Sequence, residues 1–262
     1  MVCYSSFINK MKKIIILVLN LINFFWTLIP SEIRKFFIKS ILAIESRGNP
    51  KKSLKFLFEI NELSEVFINQ SSIRYEGNHH PKHRLTNYHN FFIKNIDDNS
   101  KVLDLGCGYG YVAWKVAEQK VQSKIIGVDR VKSKVDFANK EYNLPNLSFI
   151  CQDILDVNFS DQYDVIILSN IYEHLDERIK FIQTLVKKFK PKKILFRIPN
   201  FERSWFLPLK KELGVNYFSD DEHFIEPTFE EFTSEVEAAG LIVGETEFVW
   251  GEIWSVCQIN QQ

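Results

Sequence analysis

At 262 residues, with 45% apolar and 25% charged side chains, the chain has the make-up of a globular protein with a sizeable core, not of a disordered one. Its four cysteines (Cys3, Cys107, Cys151 and Cys257) are scattered without a CxxC pair, which excludes a disulfide framework or a thiolate zinc cage and suits a reducing cytosol. The 33 basic and 33 acidic residues cancel but are unevenly spread: residues 1–60 hold ten Lys/Arg against three Asp/Glu, and no Lys or Arg follows Lys211.

The N-terminal stretch KKIIILVLNLINFFWTLIP carries a 16-residue apolar run, Ile14 to Ile29. That is short of the roughly 20 residues a bilayer span needs. No small-residue cleavage site follows, which argues against a signal peptide. Asn20, Asn23, Thr27 and Ser31 recur at helical spacing, so an amphipathic helix with a broad apolar face is expected, followed by the basic, aromatic SEIRKFFIKS. Two readings stand side by side, with a true membrane span behind them. Residues 12–39 form an in-plane anchor on an anionic cytoplasmic leaflet, or a pair of helices packed on protein. Residues 50 to about 75 read as another helix. The stretch RYEGNHHPKHRLTNYHNFF then brings four of the six histidines, with Pro81 in its middle, and reads as a loop or broken helix.

From residue 101 the apolar runs KVLDL, KIIGVD, LSFICQD, YDVIILSN and KKILFRIP alternate with helix-like segments, the pattern of a doubly wound, mostly parallel sheet covered on both faces. A capping box from Thr228 to Glu231 opens a later helix that stops at Gly240, and two β-like runs flank Gly251 as a closing hairpin. The glycine turn LDLGCGYGY follows the first strand. Gly106 and Gly108 fit a dinucleotide fingerprint, but its sixth position is Tyr111. Asp104, two residues before the first glycine, would repel a pyrophosphate and favour a cationic ligand. S-adenosylmethionine (SAM) offers both an ammonium and a sulfonium. Asp129 ends the second strand, where an acid suits ribose hydroxyls. Asp153 with Ile154 ends the third, placed for an adenine amino group and ring face. Cys107 reads as a small filler of the turn, and Asp164, opening the fourth strand, as structural.

The set VLDLGCGYG, VDR, CQDI and YDVIILSNIYEHL resembles the class I SAM-dependent methyltransferases, in particular the small-molecule branch with a Glu-His pair after the fourth strand. The resemblance covers residues 85 to 259 and implies a Rossmann-like fold of seven strands, the seventh antiparallel. It implies a domain over 85–262 behind a helical extension over 1–84, with a substrate-pocket insertion at 199–227. Asp104, Gly106, Cys107, Gly108 and Gly110 would form the SAM turn, Asp129 and Arg130 would flank the ribose, Asp153 and Ile154 the adenine, and Asn170 the methionine moiety. Some quinone methyltransferases that resemble this branch bind a metal through two Glu and a His. Here Asn170 stands in place of the first Glu and only Glu173 and His174 remain, so no metal is expected.

Methyl transfer from a sulfonium is an in-line displacement, helped by a general base when the acceptor is a hydroxyl. His174 and His223 are the expected bases, with Glu173 beside them and the group His79, His80 and His83 behind. Arg74 or Arg84 could pair with the SAM carboxylate. The insertion is rich in aromatics (Phe201, Trp205, Phe206, Tyr217, Phe218, Phe224) and ends in Asp220, Asp221 and Glu222. An aromatic, acidic pocket suits a sugar or an amine, and a membrane-seated N-terminus would suit a lipid-linked precursor. The absence of a basic stripe beside the pocket argues against nucleic acid. A SAM-binding subunit without catalysis is the standing alternative, because the turn and its acids speak only for binding.

Overall fold

The computed structural model describes residues 18, 21–77, 80–156 and 161–259. Residues 12–17, 19 and 20 of the expected anchor, and His79, lie outside the described residues. The chain divides into two compact units, one to Glu65 and one from Val66.

In the first unit residues 21–28 are helical (α1), followed by α2 (Ser31–Glu45) and the start of α3 (Pro50–Tyr75). Asn49 accepts the Lys52 amide at 3.2 Å and Pro50 takes the first helical position, a standard start for a helix. No residue of α2 is buried; Phe36, Ile41 and Ile44 are exposed. No described helix is long and apolar enough to cross a membrane.

The second unit is a seven-stranded sheet in the order β3-β2-β1-β4-β5-β7-β6. The strands are β1 (Lys101–Leu105), β2 (Lys124–Asp129), β3 (Leu147–Cys151), β4 (Val165–Ser169), β5 (Lys193–Pro199), β6 (Leu241–Val249) and β7 (Glu252–Ile259). The first five pair in parallel, and β7 runs antiparallel to both β5 and β6. The expected mostly parallel, Rossmann-like sheet is therefore present, with β7 as its single reversed strand. Strand order reverses between β1 and β4, the place where such sheets bind ligands.

Two apolar layers cover the sheet. On one face Leu103, Leu105, Ile166 and Leu168 pack on α8 (Arg178–Phe189) and α10 (Phe229–Ala238). On the other, beyond the short α4 (Lys82–Thr86), Val102, Ile125 and Ile167 pack on α5 (His89–Lys94), α6 (Tyr111–Gln119) and α7 (Lys132–Glu141). The near-continuous apolar strands follow from burial on both sides. The β6–β7 turn has positive φ at both Trp250 (56°) and Gly251 (77°), as a two-residue hairpin of the right twist requires.

The Thr228–Glu231 capping box is complete, at 3.1 and 2.8 Å. Thr228→Ala is expected to cost about 1 kcal/mol and to lower the melting temperature by roughly 2–4 °C in a unit of this size, as read by thermal unfolding. Asp164 holds the Lys101 amide at 2.8 Å and Lys192 at 2.9 Å, tying three strand starts together at the end of the sheet away from the glycine turn.

Candidate active site

Strand alternation puts Asp104 on the face of β1 shared with Val102, toward α6. Its carboxyl is 2% exposed and Oδ2 has no hydrogen-bond partner. Burial pushes this group up to about 8, with the Ala113 amide opposing and the Asp129 charge adding. The chain then turns through three glycines of positive φ, each for its own reason. At Gly106 (φ 72°) a Cβ would lie 1.9 Å from the Ile171 side chain, so the turn and the segment after β4 press together. At Gly110 (φ 80°), the N-cap of α6, a Cβ would lie 2.5 Å from the Phe149 ring. Gly108 has open space beside it and lines a cleft.

Asp129 closes the turn from the neighbouring strand. Its Oδ2 accepts the Gly108 amide at 2.9 Å and its Oδ1 the Val131 amide at 2.8 Å, and each oxygen keeps a second lone pair. The cleft, of about 690 Å³, brings together Gly106, Gly108, Asp129, Arg130, Asp153 and Ile154 from the first three strand ends, and Asn170 and His174 from the fourth. Asp153 spends Oδ1 on the Leu155 amide at 3.0 Å. Asn170 sits at φ 54° with its Oδ1 buried and unpartnered. Lys134, which the sequence reading missed because it lies in the first turn of α7 outside any motif, joins the wall.

Asp104, Cys107, Gly110, Glu173 and His223 do not line the cleft. Cys107 Sγ lies against Gly127, and burial pushes its thiol far up, so it is a filler and no nucleophile. Of the six aromatics in the insertion only Phe224 reaches the cleft, together with Asp220 and Glu222. Phe201, Tyr217 and Phe218 meet one another edge-on or tilted, while Trp205 and Phe206 pair in an exposed position at the start of α9 (Phe206–Leu213). Neither arginine is aimed at this cleft: Arg84 is clamped by Glu76 at 2.6 and 3.0 Å, and Arg74 donates to Ser71 at 3.1 Å. His80 lies against Asn69, and His83 against Tyr88 and Tyr111.

After β4, a short turn at Tyr172–His174 is anchored by Tyr172, whose hydroxyl donates to Glu235, itself paired with Arg178 at 2.7 and 2.8 Å. The Phe224 amide donates to the Glu173 carbonyl at 2.8 Å and so pins the end of the insertion onto this turn. That bond brings His223 beside His174, with ring centroids 4.5 Å apart. Glu173, His174 and His223 place ligand-capable atoms within 4.8 Å of one another. Glu173 is 1% exposed, and burial pushes its carboxyl up to about 8 against its own backbone amide and Arg197. Burial and the nearby His223 hold His174 below the usual imidazole range. His223 Nδ1 meets Glu226 Oε1 at 2.9 Å. Burial disfavours the Glu226 charge, but His223, Ser219 and Arg203 together bring its carboxyl down to about 2. The His-x-x-Glu spacing of 223 and 226 was the signal that could have found this partner.

A family model described as a methyltransferase domain matches residues 96–222. Malonyl-[acyl-carrier protein] O-methyltransferase of Bacillus cereus is 32% identical over 85 residues, 32% of either chain. Ubiquinone biosynthesis O-methyltransferase of Bartonella tribocorum is 28% identical over 111 residues, 41% of this chain and 44% of that one. The chain thus matches about a third of the length of the first of these relatives and under half of the second. The fold is shared with magnesium protoporphyrin IX methyltransferase from Synechocystis, solved with bound S-adenosylhomocysteine (TM-score 0.54, 14% identity, covering 68% of this chain and 83% of that one). Set beside the strand order and the glycine turn, these matches make residues 96–222 a methyltransferase domain.

Proposed function

We propose that the chain transfers a methyl group from SAM to an oxygen or nitrogen of a small molecule, a sugar or a lipid-linked precursor, with residues 85–262 as the working domain. The observation that carries this reading is the convergence of the glycine turn, Asp129, Asp153 and Asn170 on one cleft whose wall also holds His174.

The residues fit SAM on their own chemistry. Asp104 Oδ2 and Asn170 Oδ1 are buried acceptors without donors, and the space beside Gly108 is open. Asp104 and Asn170 would hold the methionine end, Asp129 with Arg130 the ribose, and Asp153 with Ile154 the adenine. When bound, SAM supplies an electrophilic methyl on a sulfonium. The chain's part is to orient the acceptor, exclude water and take up its proton. His174, kept neutral by burial, can accept a proton at the nitrogen its Glu222 contact leaves free. Asp220, Glu222 and Phe224 would meet the acceptor.

Calorimetric titration with SAM, S-adenosylhomocysteine and NADH, followed by labelled methyl transfer to a panel of hydroxylated and amine acceptors, tests the reading. Binding of the first two and turnover of one acceptor is the expected result. SAM binding without turnover across the panel would favour the non-catalytic subunit instead. The extension over 1–84 is proposed to rest on the inner face of the membrane, in keeping with its basic surplus and the exposed Phe36, Ile41 and Ile44 of α2. Removing residues 1–39 should release the protein from anionic vesicles, and persistent binding of the truncated chain overturns the anchor.

A further inference from the structure

The Glu173–His174–His223 group has the features of a ligand set waiting for a cation. Glu173 is almost fully buried, yet neither carboxylate oxygen has a hydrogen-bond partner. An orphaned buried carboxylate is costly, and a structure that keeps one has a use for it. Two imidazoles stand within ligand distance of it, one of them 50 residues away in sequence.

Both rings are already oriented. His223 Nδ1 faces Glu226, an acceptor-only carboxylate, so that nitrogen carries the proton. His174 Nδ1 lies 3.3 Å from the Glu222 carbonyl, which also can only accept. In each ring the lone pair is therefore left on Nε2. Glu226 is itself fixed by Arg203 at 2.5 Å and by the Ser219 amide and hydroxyl at 2.5 and 2.7 Å. A carboxylate that orients a histidine, and is in turn locked by its own partners, is the outer-shell arrangement that metal-binding histidines use.

We propose that Glu173, His174 and His223 bind a divalent first-row transition ion of the zinc type. Two imidazoles and one carboxylate are too nitrogen-rich for magnesium or calcium, which take oxygen ligands. Three protein ligands leave a position open, as in catalytic rather than structural zinc sites. His174 lines the cleft, so the open position gives onto it, and the acceptor would be one that offers an oxygen ligand, an ionisable hydroxyl or a carboxylate. With the ion bound the His174 lone pair is committed to it, and the ion, in place of the imidazole, makes a bound hydroxyl acidic enough to lose its proton to solvent. This role rests on the methyltransferase reading, whereas binding of the ion does not.

The test uses the full-length, tag-free chain stripped with chelator. Calorimetry with zinc chloride is expected to show one ion per chain, with magnesium chloride silent. Cobalt chloride should give visible d–d bands without a thiolate charge-transfer band, since no cysteine belongs to the set. Glu173→Gln, His174→Gln and His223→Gln should each abolish that spectrum, and Glu226→Gln should weaken zinc binding about 10–100-fold while keeping its stoichiometry. Parallel SAM titrations separate the two readings. A variant that loses zinc but keeps SAM is folded, and a wild-type chain that takes zinc but not SAM sinks the methyltransferase reading alone. The proposal is overturned if wild-type protein gives no saturable cobalt spectrum, or if zinc binding survives His223→Gln. Survival would move the metal to His80 and His83 or to a thiol.

Discussion

Asp104→Asn is expected to weaken SAM binding by about 10–100-fold, the worth of a buried hydrogen bond to a charged group. The amide keeps the shape of the carboxyl but cannot neutralise an ammonium. Its effect on pH dependence is more telling than its size. In the unliganded protein burial holds Asp104 up to about 8, so at neutral pH most of it is protonated. A cationic ligand needs the ionised form, and binding below pH 8 must expel a proton. Affinity should therefore rise by up to about tenfold per pH unit as pH climbs toward 8. Above about 8 the ligand's own α-ammonium begins to deprotonate and affinity falls again. The wild-type profile is a bell centred near pH 8, and the variant loses its acidic limb.

Stability runs the other way. A carboxyl whose folded pKa is raised above its unfolded value binds a proton on folding. Its contribution is fully present below about pH 4 and is lost as pH rises through about 8. Unliganded Asp104→Asn should thus melt above wild type at pH 9, by at least about 1 kcal/mol, although it binds SAM worse. A flat affinity profile in wild type, or a variant that is both less stable and less able to bind, would show that Asp104 is a structural group.

Gly106→Ala is expected to damage both fold and binding. The new Cβ meets the Ile171 side chain at 1.9 Å in a backbone at φ 72°. The left-handed conformation costs a non-glycine residue about 1–2 kcal/mol, and overpacking adds about 1–3 kcal/mol. Ile171 follows Asn170, so relieving the clash shifts a residue of the cleft wall, and SAM affinity should fall at least about tenfold, the effect of a 1.4 kcal/mol loss. Two companions divide the effect. Adding Ile171→Ala to Gly106→Ala should recover the packing part of the lost stability but not the backbone part. Gly108→Ala, at φ 56° with nothing within 4 Å, should leave the unliganded melting temperature within a few degrees of wild type and still impair SAM binding. If Gly108→Ala binds SAM normally, the open space beside that turn is not where the ligand lies. Denaturant unfolding and calorimetry read all three variants.

The parts of this protein that its sequence determined are those built from contiguous residues. Runs such as KIIGVD and YDVIILSN are apolar throughout because the parallel strands are covered on both faces, and the Thr228 cap and the Gly251 turn are chemistry over two to four residues. The acids at the strand ends were readable for the same reason: Asp104 and Asp129 sit at fixed offsets from the glycine turn and from the end of a run. The tertiary structure decided which loop lies over which strand end. Nothing local to His223 says that the Phe224 amide will dock on the Glu173 carbonyl and carry that ring to His174, nor that Glu76 will take Arg84 away from the cleft. The aromatic insertion shows the same limit, since composition suggested a pocket wall and the fold turned only Phe224 toward the cleft. Periodicity and turn geometry are short-range and survive in one dimension. The meeting of distant polar groups depends on the summed packing of every element between them, here on the turn that Tyr172, Glu235 and Arg178 hold in place.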